Sequence, residues 1–182
     1  MSDIPPDQIM NHATRIYTPE QVNVAIDKMA HEITQDYAGK NPLCIVVLHG
    51  GVVFAGQLLP KLNFPLELDY LHATRYRGEL KGNDAIHWLA KPNGSLKNRD
   101  VLILDDILDA GVTLAEIMKF CFAHEAKSVK SAVLIDKEVE KHPDGVHTPD
   151  YFGLRAPDRY LFGYGMDYKE NWRNAPGIFA LD

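Results

Sequence analysis

The stretch VLILDDILDAGVTL (residues 101–114) sets three carboxylates, a glycine and a threonine at the end of an aliphatic run. Ionised carboxylates are costly to leave dry and unpaired, so an acidic end on a buried strand calls for partners. In open α/β sheets ligands sit at the carboxyl ends of the strands, where Asp105 and Asp106 would emerge. There the two aspartates can accept hydrogen bonds from sugar hydroxyls. The turn of Asp109, Ala110, Gly111, Val112 and Thr113, with the start of the helix after it, offers backbone N–H groups to a phosphate. A diol beside a phosphate is a sugar phosphate. Aspartate and threonine also cap turns and helices throughout proteins, so the length of the pattern carries the argument and no single residue does.

A second candidate is Leu48-His49-Gly50-Gly51, between an apolar run and a helical pattern. Glycines let N–H groups crowd an anion at the next helix start, although a plain tight turn explains the same residues. His49 would make the charge there depend on pH. Cys44 and Cys121 lie in no metal or redox spacing, and two buried free thiols are expected.

Alternating elements must position these residues. Thr18, Pro19 and Gln21 make a capped helix start, and Val22, Ile26, Met29, Ile33 and Tyr37 recur at helical spacing up to Gly39. The continuous run LCIVVL reads as a strand buried on both faces, and VVFAGQLLPKL returns to a helix. LELDYLHA, AIHWLAK, VLILDD and SAVLID read as further strands, with a helix over 114–124. The alternation predicts an α/β fold with a mostly parallel central sheet and helices on both faces. Beyond Lys137 the rhythm changes to short extended pieces. A core over about 18–136 and a small hood at the carboxyl end of the sheet, formed mainly by 137–182 with an N-terminal contribution, are expected.

At 182 residues the chain is long enough for one sizeable core, and a single domain is expected. A formal net charge of -6 disfavours a general attraction to nucleic acid. The N-terminal stretch has no basic and continuously apolar signal, and no apolar run approaches a membrane span, which predicts a soluble cytoplasmic protein.

At its full length the pattern of four aliphatics, two aspartates, two aliphatics, aspartate, small residue, glycine, any residue and threonine resembles the phosphoribosyl diphosphate signature of type I phosphoribosyltransferases. The resemblance runs from about residue 43 to the carboxyl terminus. Within that family, PDRYLFGYGMDYKENWRNAPGIF is similar to the hood of hypoxanthine-guanine phosphoribosyltransferases. The resemblance implies transfer of a phosphoribosyl group from 5-phosphoribosyl 1-diphosphate to hypoxanthine or guanine, giving IMP or GMP and pyrophosphate, with Mg2+ as cofactor. It implies a homodimer or homotetramer, with no nucleic acid or membrane partner. Asp105 and Asp106 would hold the ribose hydroxyls and, with Asp167, the metal. Residues 109–113 would wrap the 5-phosphate, and Asp109 would take the purine proton. Residues 48–51 and Arg173 would bind pyrophosphate. Tyr160 would stack on the base against Ile107, with the Leu161 backbone and Asp167 at its edge and Lys137 donating to the 6-oxo oxygen. Arg75 and Tyr76 would begin a closing lid. Three positions depart from the family: His49 where a lysine is frequent, Ala110 where threonine or serine is usual, and Val112 where a polar residue is common.

The rivals explain less. A receiver domain has its acidic pair on the first strand and leaves residues 109–113 unexplained, and a dinucleotide oxidoreductase would want G-x-G-x-x-G. A pyrimidine-sensing RNA-binding regulator on the same fold conflicts with the acidic charge and the purine-type hood. A xanthine-preferring enzyme stays open.

Overall fold

In the computed structural model, residues 4–75 and 86–181 are described here. Strand β1 (Thr14–Tyr17) leads to helix α1 (Pro19–Tyr37), whose start is the expected reciprocal cap. Gln21 N donates to Thr18 Oγ1 at 3.3 Å, and Thr18 N donates to Gln21 Oε1 at 2.9 Å. Strand β2 (Leu43–Leu48), helix α2 (Gly51–Leu58) and strand β3 (Glu67–Arg75) follow. After β4 (Ile86–Ala90) come β5 (Asp100–Leu108), α3 (Val112–Ala123) and β6 (Ser128–Glu138). The chain then forms β7 (Tyr151–Pro157), β8 (Tyr160–Phe162) and β9 (Ile178–Leu181).

The large sheet has the order β4-β3-β2-β5-β6-β7, parallel except for β4, which pairs antiparallel with β3. Its two faces are separate cores, as a sheet covered on both sides requires. On one face Cys44, Val46, Leu102 and Leu104 pack with Val22, Ile26, Met29 and Phe54 of α1 and α2. On the other, Ile45, Val47, Val101 and Ile103 pack with Leu114, Ile117 and Cys121 of α3. The period-two alternation along β2 and β5 assigns the faces. Both cysteines are free and buried, and burial pushes the Cys44 thiol up to about 12 and that of Cys121 to about 11.

The strand order turns at β2. From there the chain goes outward to β3 and then crosses back to β5 on the other side, so β2 and β5 flank the crevice where ligands bind in such sheets. A second sheet, β1-β9-β8, is antiparallel and builds its own cluster from Ile9, Phe162, Tyr168 and Phe179. Donors from that side hold the N-terminal segment: Tyr168 Oη donates to Ile4 O at 2.8 Å and Trp172 Nε1 to Pro6 O at 2.5 Å. No helix among the described residues is long and apolar enough to cross a membrane.

The structure corrects three readings. Residues 151–157 were expected in the hood, yet they form β7, the edge of the large sheet, because their backbone continues the parallel ladder from β6 and Tyr151 and Ala156 bury against the α1 face. Strand β6 extends to Glu138, which makes Lys137 a strand residue and not a residue beyond the strand. Strand β5 runs two residues past the aspartates to Leu108, still paired with β6.

Thr18→Ala removes one half of the reciprocal cap and should destabilise the protein by about 1 kcal/mol. Denaturant unfolding should show a lower midpoint with an unchanged slope.

Candidate active site

Two adjoining cavities open at the carboxyl ends of β2 and β5. The larger, about 540 Å3, is lined by residues 47–50 at the end of β2 and just beyond it, residues 72–74 of β3, residues 105–114, Glu170 and Arg173. The smaller, about 200 Å3, is lined by Asp106, Ile107, Asp109, Lys137, residues 159–161, Met166 and Asp167. Asp106, Ile107 and Asp109 belong to both. The structure therefore brings together every described residue expected at the phosphate, diphosphate and base positions except Gly51, which lies behind the loop as the first residue of α2. Arg75 ends β3; Tyr76 and the rest of the expected lid, through residue 85, lie outside the described residues.

Residues 109–113 sit where β5 hands over to α3. Gly111 has φ +81°, and a Cβ there would lie 2.2 Å from Val146 O, so both the conformation and the space demand glycine. The turn is tied down from behind, with His142 N donating to Ala110 O at 3.0 Å and Val146 N to Gly111 O at 3.1 Å. Among the described residues, the N–H groups of residues 110–113 have no intramolecular acceptor, as at any helix start, and they are available to an anion. Val112 is buried yet lines the larger cavity, so the departure from a polar residue puts an apolar side chain at that wall.

The loop after β2 contains a cis peptide between Leu48 and His49. Gly50 lies against the acidic pair so closely that a Cβ would fall 2.0 Å from Asp106 Oδ2, and a Cβ on Gly165 would fall 2.0 Å from Gly50 O. Loop, strand end and hood meet there without room for a methyl group.

Asp106 is buried and Asp105 partly so, with Asp106 N donating to Asp105 Oδ1 at 2.9 Å. Burial pushes both carboxyls above their ordinary range. The neighbouring Asp106 carboxylate raises Asp105 further, and the Arg173 guanidinium partly offsets the rise at Asp106. Such a pair gains its ionised form from hydroxyl donors or a hard cation. Among the described residues no three His, Cys, Asp or Glu side chains converge to hold a metal by themselves. An all-oxygen pair that leaves most of a coordination shell to others fits a magnesium ion shared with substrate oxygens, the mode that ion prefers.

Two cations link the cavities. Arg173 Nη2 lies 2.7 Å from Asp167 Oδ1 and 3.7 Å from Glu170, and its Nη1 donates to Gly165 O at 2.7 Å. Lys137 Nζ lies 2.9 Å from Asp158 and 3.5 Å from Asp109. Tyr160 Oη donates to Asp167 O at 3.0 Å, and its ring meets Tyr168 edge-on at 5.7 Å. Sequence reasoning missed His72, Thr74, Asp158 and Glu170. Asp158 and Glu170 sit in the hood stretch as ordinary surface carboxylates, whereas His72 has no sequence signal, because strand pairing alone brings it to the crevice.

A family model described as a phosphoribosyl transferase domain matches residues 12–170. The chain belongs to the phosphoribosyltransferase family. This phosphoribosyltransferase is 32% identical over 166 residues to the hypoxanthine-guanine phosphoribosyltransferase of Streptococcus mutans, covering 91% of each chain. It superposes on the crystal structure of a hypoxanthine phosphoribosyltransferase from Staphylococcus aureus with a TM-score of 0.88 at 28% identity, covering 96% of this chain and 94% of that one. On a hypoxanthine-guanine-xanthine phosphoribosyltransferase structure the TM-score is 0.83 at 31% identity, covering 93% and 96%.

The elevated acidic pair has a thermodynamic sign. These carboxyls hold protons to higher pH folded than unfolded, so the stability they contribute is complete below the ordinary carboxylate range. It is lost as pH rises through their elevated folded values. The ligand-free protein with Asp105→Asn and Asp106→Asn together should therefore melt several degrees above the unmodified protein at pH 7, with the difference shrinking toward pH 4, as scanning calorimetry would measure.

Proposed function

We propose that the protein transfers the phosphoribosyl group of 5-phosphoribosyl 1-diphosphate to N9 of hypoxanthine or guanine, forming IMP or GMP and releasing pyrophosphate. The observation that carries this reading is the pairing of two cavities across Asp106, Ile107 and Asp109. One offers free helix-start N–H groups and a glycine loop for phosphates, and the other a flat, half-buried tyrosine and a lysine for a base. The names of the relatives at about this size agree with it.

Residues 109–113 receive the 5-phosphate, and Asp105 and Asp106 accept hydrogen bonds from the ribose hydroxyls. Residues 48–50 and Arg173 face the diphosphate. In the smaller cavity the base lies against Tyr160 and Ile107, and Lys137 donates to the 6-oxo oxygen, which favours oxopurines over adenine and its amino donor. The bond from ribose C1′ to the diphosphate oxygen breaks with its electron pair leaving on diphosphate, and purine N9 bonds to C1′. The proton that the purine loses goes to Asp109. Asp109 is exposed on one side and held on the other by Lys137, which suits a group that must meet an incoming base.

Asp105, Asp106 and Asp167 would hold Mg2+, directly or through water. When bound, the ion neutralises phosphate charge and steadies the leaving diphosphate. A xanthine-preferring enzyme is the second reading, favoured by the likeness to the hypoxanthine-guanine-xanthine enzyme; Leu161 and Asp167, which line the smaller cavity, would judge the 2-position of the base through their backbone groups.

Purified protein given phosphoribosyl diphosphate, Mg2+ and each of hypoxanthine, guanine, xanthine and adenine should turn over the 6-oxopurines and leave adenine unchanged; adenine turnover alone would overturn the assignment. Asp109→Asn should lower turnover about a hundredfold or more with little change in sugar-diphosphate affinity, in steady-state and equilibrium binding assays. Replacing Asp105 and Asp106 together by Asn should mainly weaken sugar-diphosphate binding, which calorimetry would read directly.

A further inference from the structure

Parallel pairing of β2 with β3 sets Leu48 opposite His72, one residue before the loop histidine. The rings of His49 and His72 therefore meet edge to face, with centroids 4.4 Å apart and planes at 63°, and both line the larger cavity. Among the described residues neither imidazole is hydrogen-bonded or ion-paired to another side chain. His72 is held below its ordinary value, first by burial and then by the charges of His49 and Arg173. Two adjacent imidazoles repel when both are charged, and an anion between them removes that repulsion.

The groups facing the pair come from three directions. Asp105 and Asp106 lie at the end of β5, Asp109 on the turn beyond it, and Glu170 and Arg173 on the segment leading to β9. Arg173 already has Asp167 and Gly165 as partners, which leaves the two histidines as basic side chains with no hydrogen-bonded or ion-paired side-chain partner on the β2–β3 wall of this cavity, among the described residues.

We infer that His49 and His72 form a paired imidazole grip on the diphosphate of the sugar substrate and of the released product, and that the pair takes up a proton from solvent as the diphosphate enters. This rests on the phosphoribosyl-transfer reading above and adds to it a second side chain, from a different strand, and a pH dependence. Each ring donates one N–H to the anion, and the protonated form donates from a charged group, which strengthens the bond. Affinity for diphosphate then rises as pH falls through the imidazole range, whereas a lone lysine in the loop would give no such dependence there.

The test is titration calorimetry of the full chain with inorganic diphosphate and Mg2+ at pH 6.5 and 8.5, each in two buffers of different ionisation enthalpy. The unmodified protein, His72→Asn and His49→Lys are compared. His72→Asn keeps a hydrogen-bond donor and loses the titration. It should weaken binding about tenfold at pH 6.5 and about twofold or less at pH 8.5, and should take up less proton than the unmodified protein. His49→Lys should bind with a flatter pH dependence. A purely structural role for His72 would weaken binding equally at both pH values, and that result, or unchanged binding by His72→Asn, would overturn the grip. Turnover of the purine bases by the unmodified protein is measured beside it. Diphosphate binding without turnover sinks the transfer reading while the His72 comparison still decides the grip, and normal turnover with an indifferent His72→Asn sinks the grip alone.

Discussion

The close stacking of Gly165 on Gly50, and of Gly50 on the Asp106 carboxyl, is the constraint on which the rest of the site depends. Neither glycine has room for a single added carbon, and a close-packed interior does not open such room cheaply. Three segments far apart in sequence thus acquire one relative position: the glycine loop after β2, the acidic end of β5 and the turn that leads from β8 toward Arg173. The two cavities share Asp106 because of it. Any ligand spanning them meets walls set by backbone against backbone, which preserves alignment better than contacts between long side chains would.

Electrostatics fills in what packing leaves. The acidic pair is a cost in the ligand-free fold, since burial and mutual repulsion both oppose its charge. The expense is retained at the wall of an open cavity, where a hydroxyl donor or a cation would relieve it. Arg173 and Lys137 perform the complementary task, each tying a carboxylate of one cavity to the hood while remaining at the cavity wall. Stability and binding capacity therefore pull in opposite directions at Asp105 and Asp106, a relation seen often at functional sites.

Much of this was legible in the residues themselves. LCIVVL and VLIL are buried on both faces because no polar residue interrupts them, and Thr18 with Gln21 announces the start of α1. Residues 105–113 were legible as a site because chemistry there is local: strand end, glycine turn and helix start follow one another within nine positions. What could not be read is what depends on register and strand order. YFGL is too short and too glycine-interrupted to declare itself an edge strand, and only its ladder with β6 settles the matter. His72 stands in a strand of mixed burial where a histidine is unremarkable, and it reaches the crevice only because β3 runs beside β2 in one particular register. The end of β5 was misjudged for a related reason, since Ile107 and Leu108 continue the ladder after the carboxylates have already marked the cavity.

The small sheet pairs β1 with β9, so its central strand is synthesised after every strand of the large sheet. On a ribosome, the loop after β2 and the turn after β5 are both complete before β9 exists, and the large sheet can gather as a folding unit in advance of it. A nascent chain consequently owns the glycine-loop and acidic half of the crevice earlier than the half lined by Tyr160 and Asp167. The aromatic side of the crevice is closed over a surface that is already built.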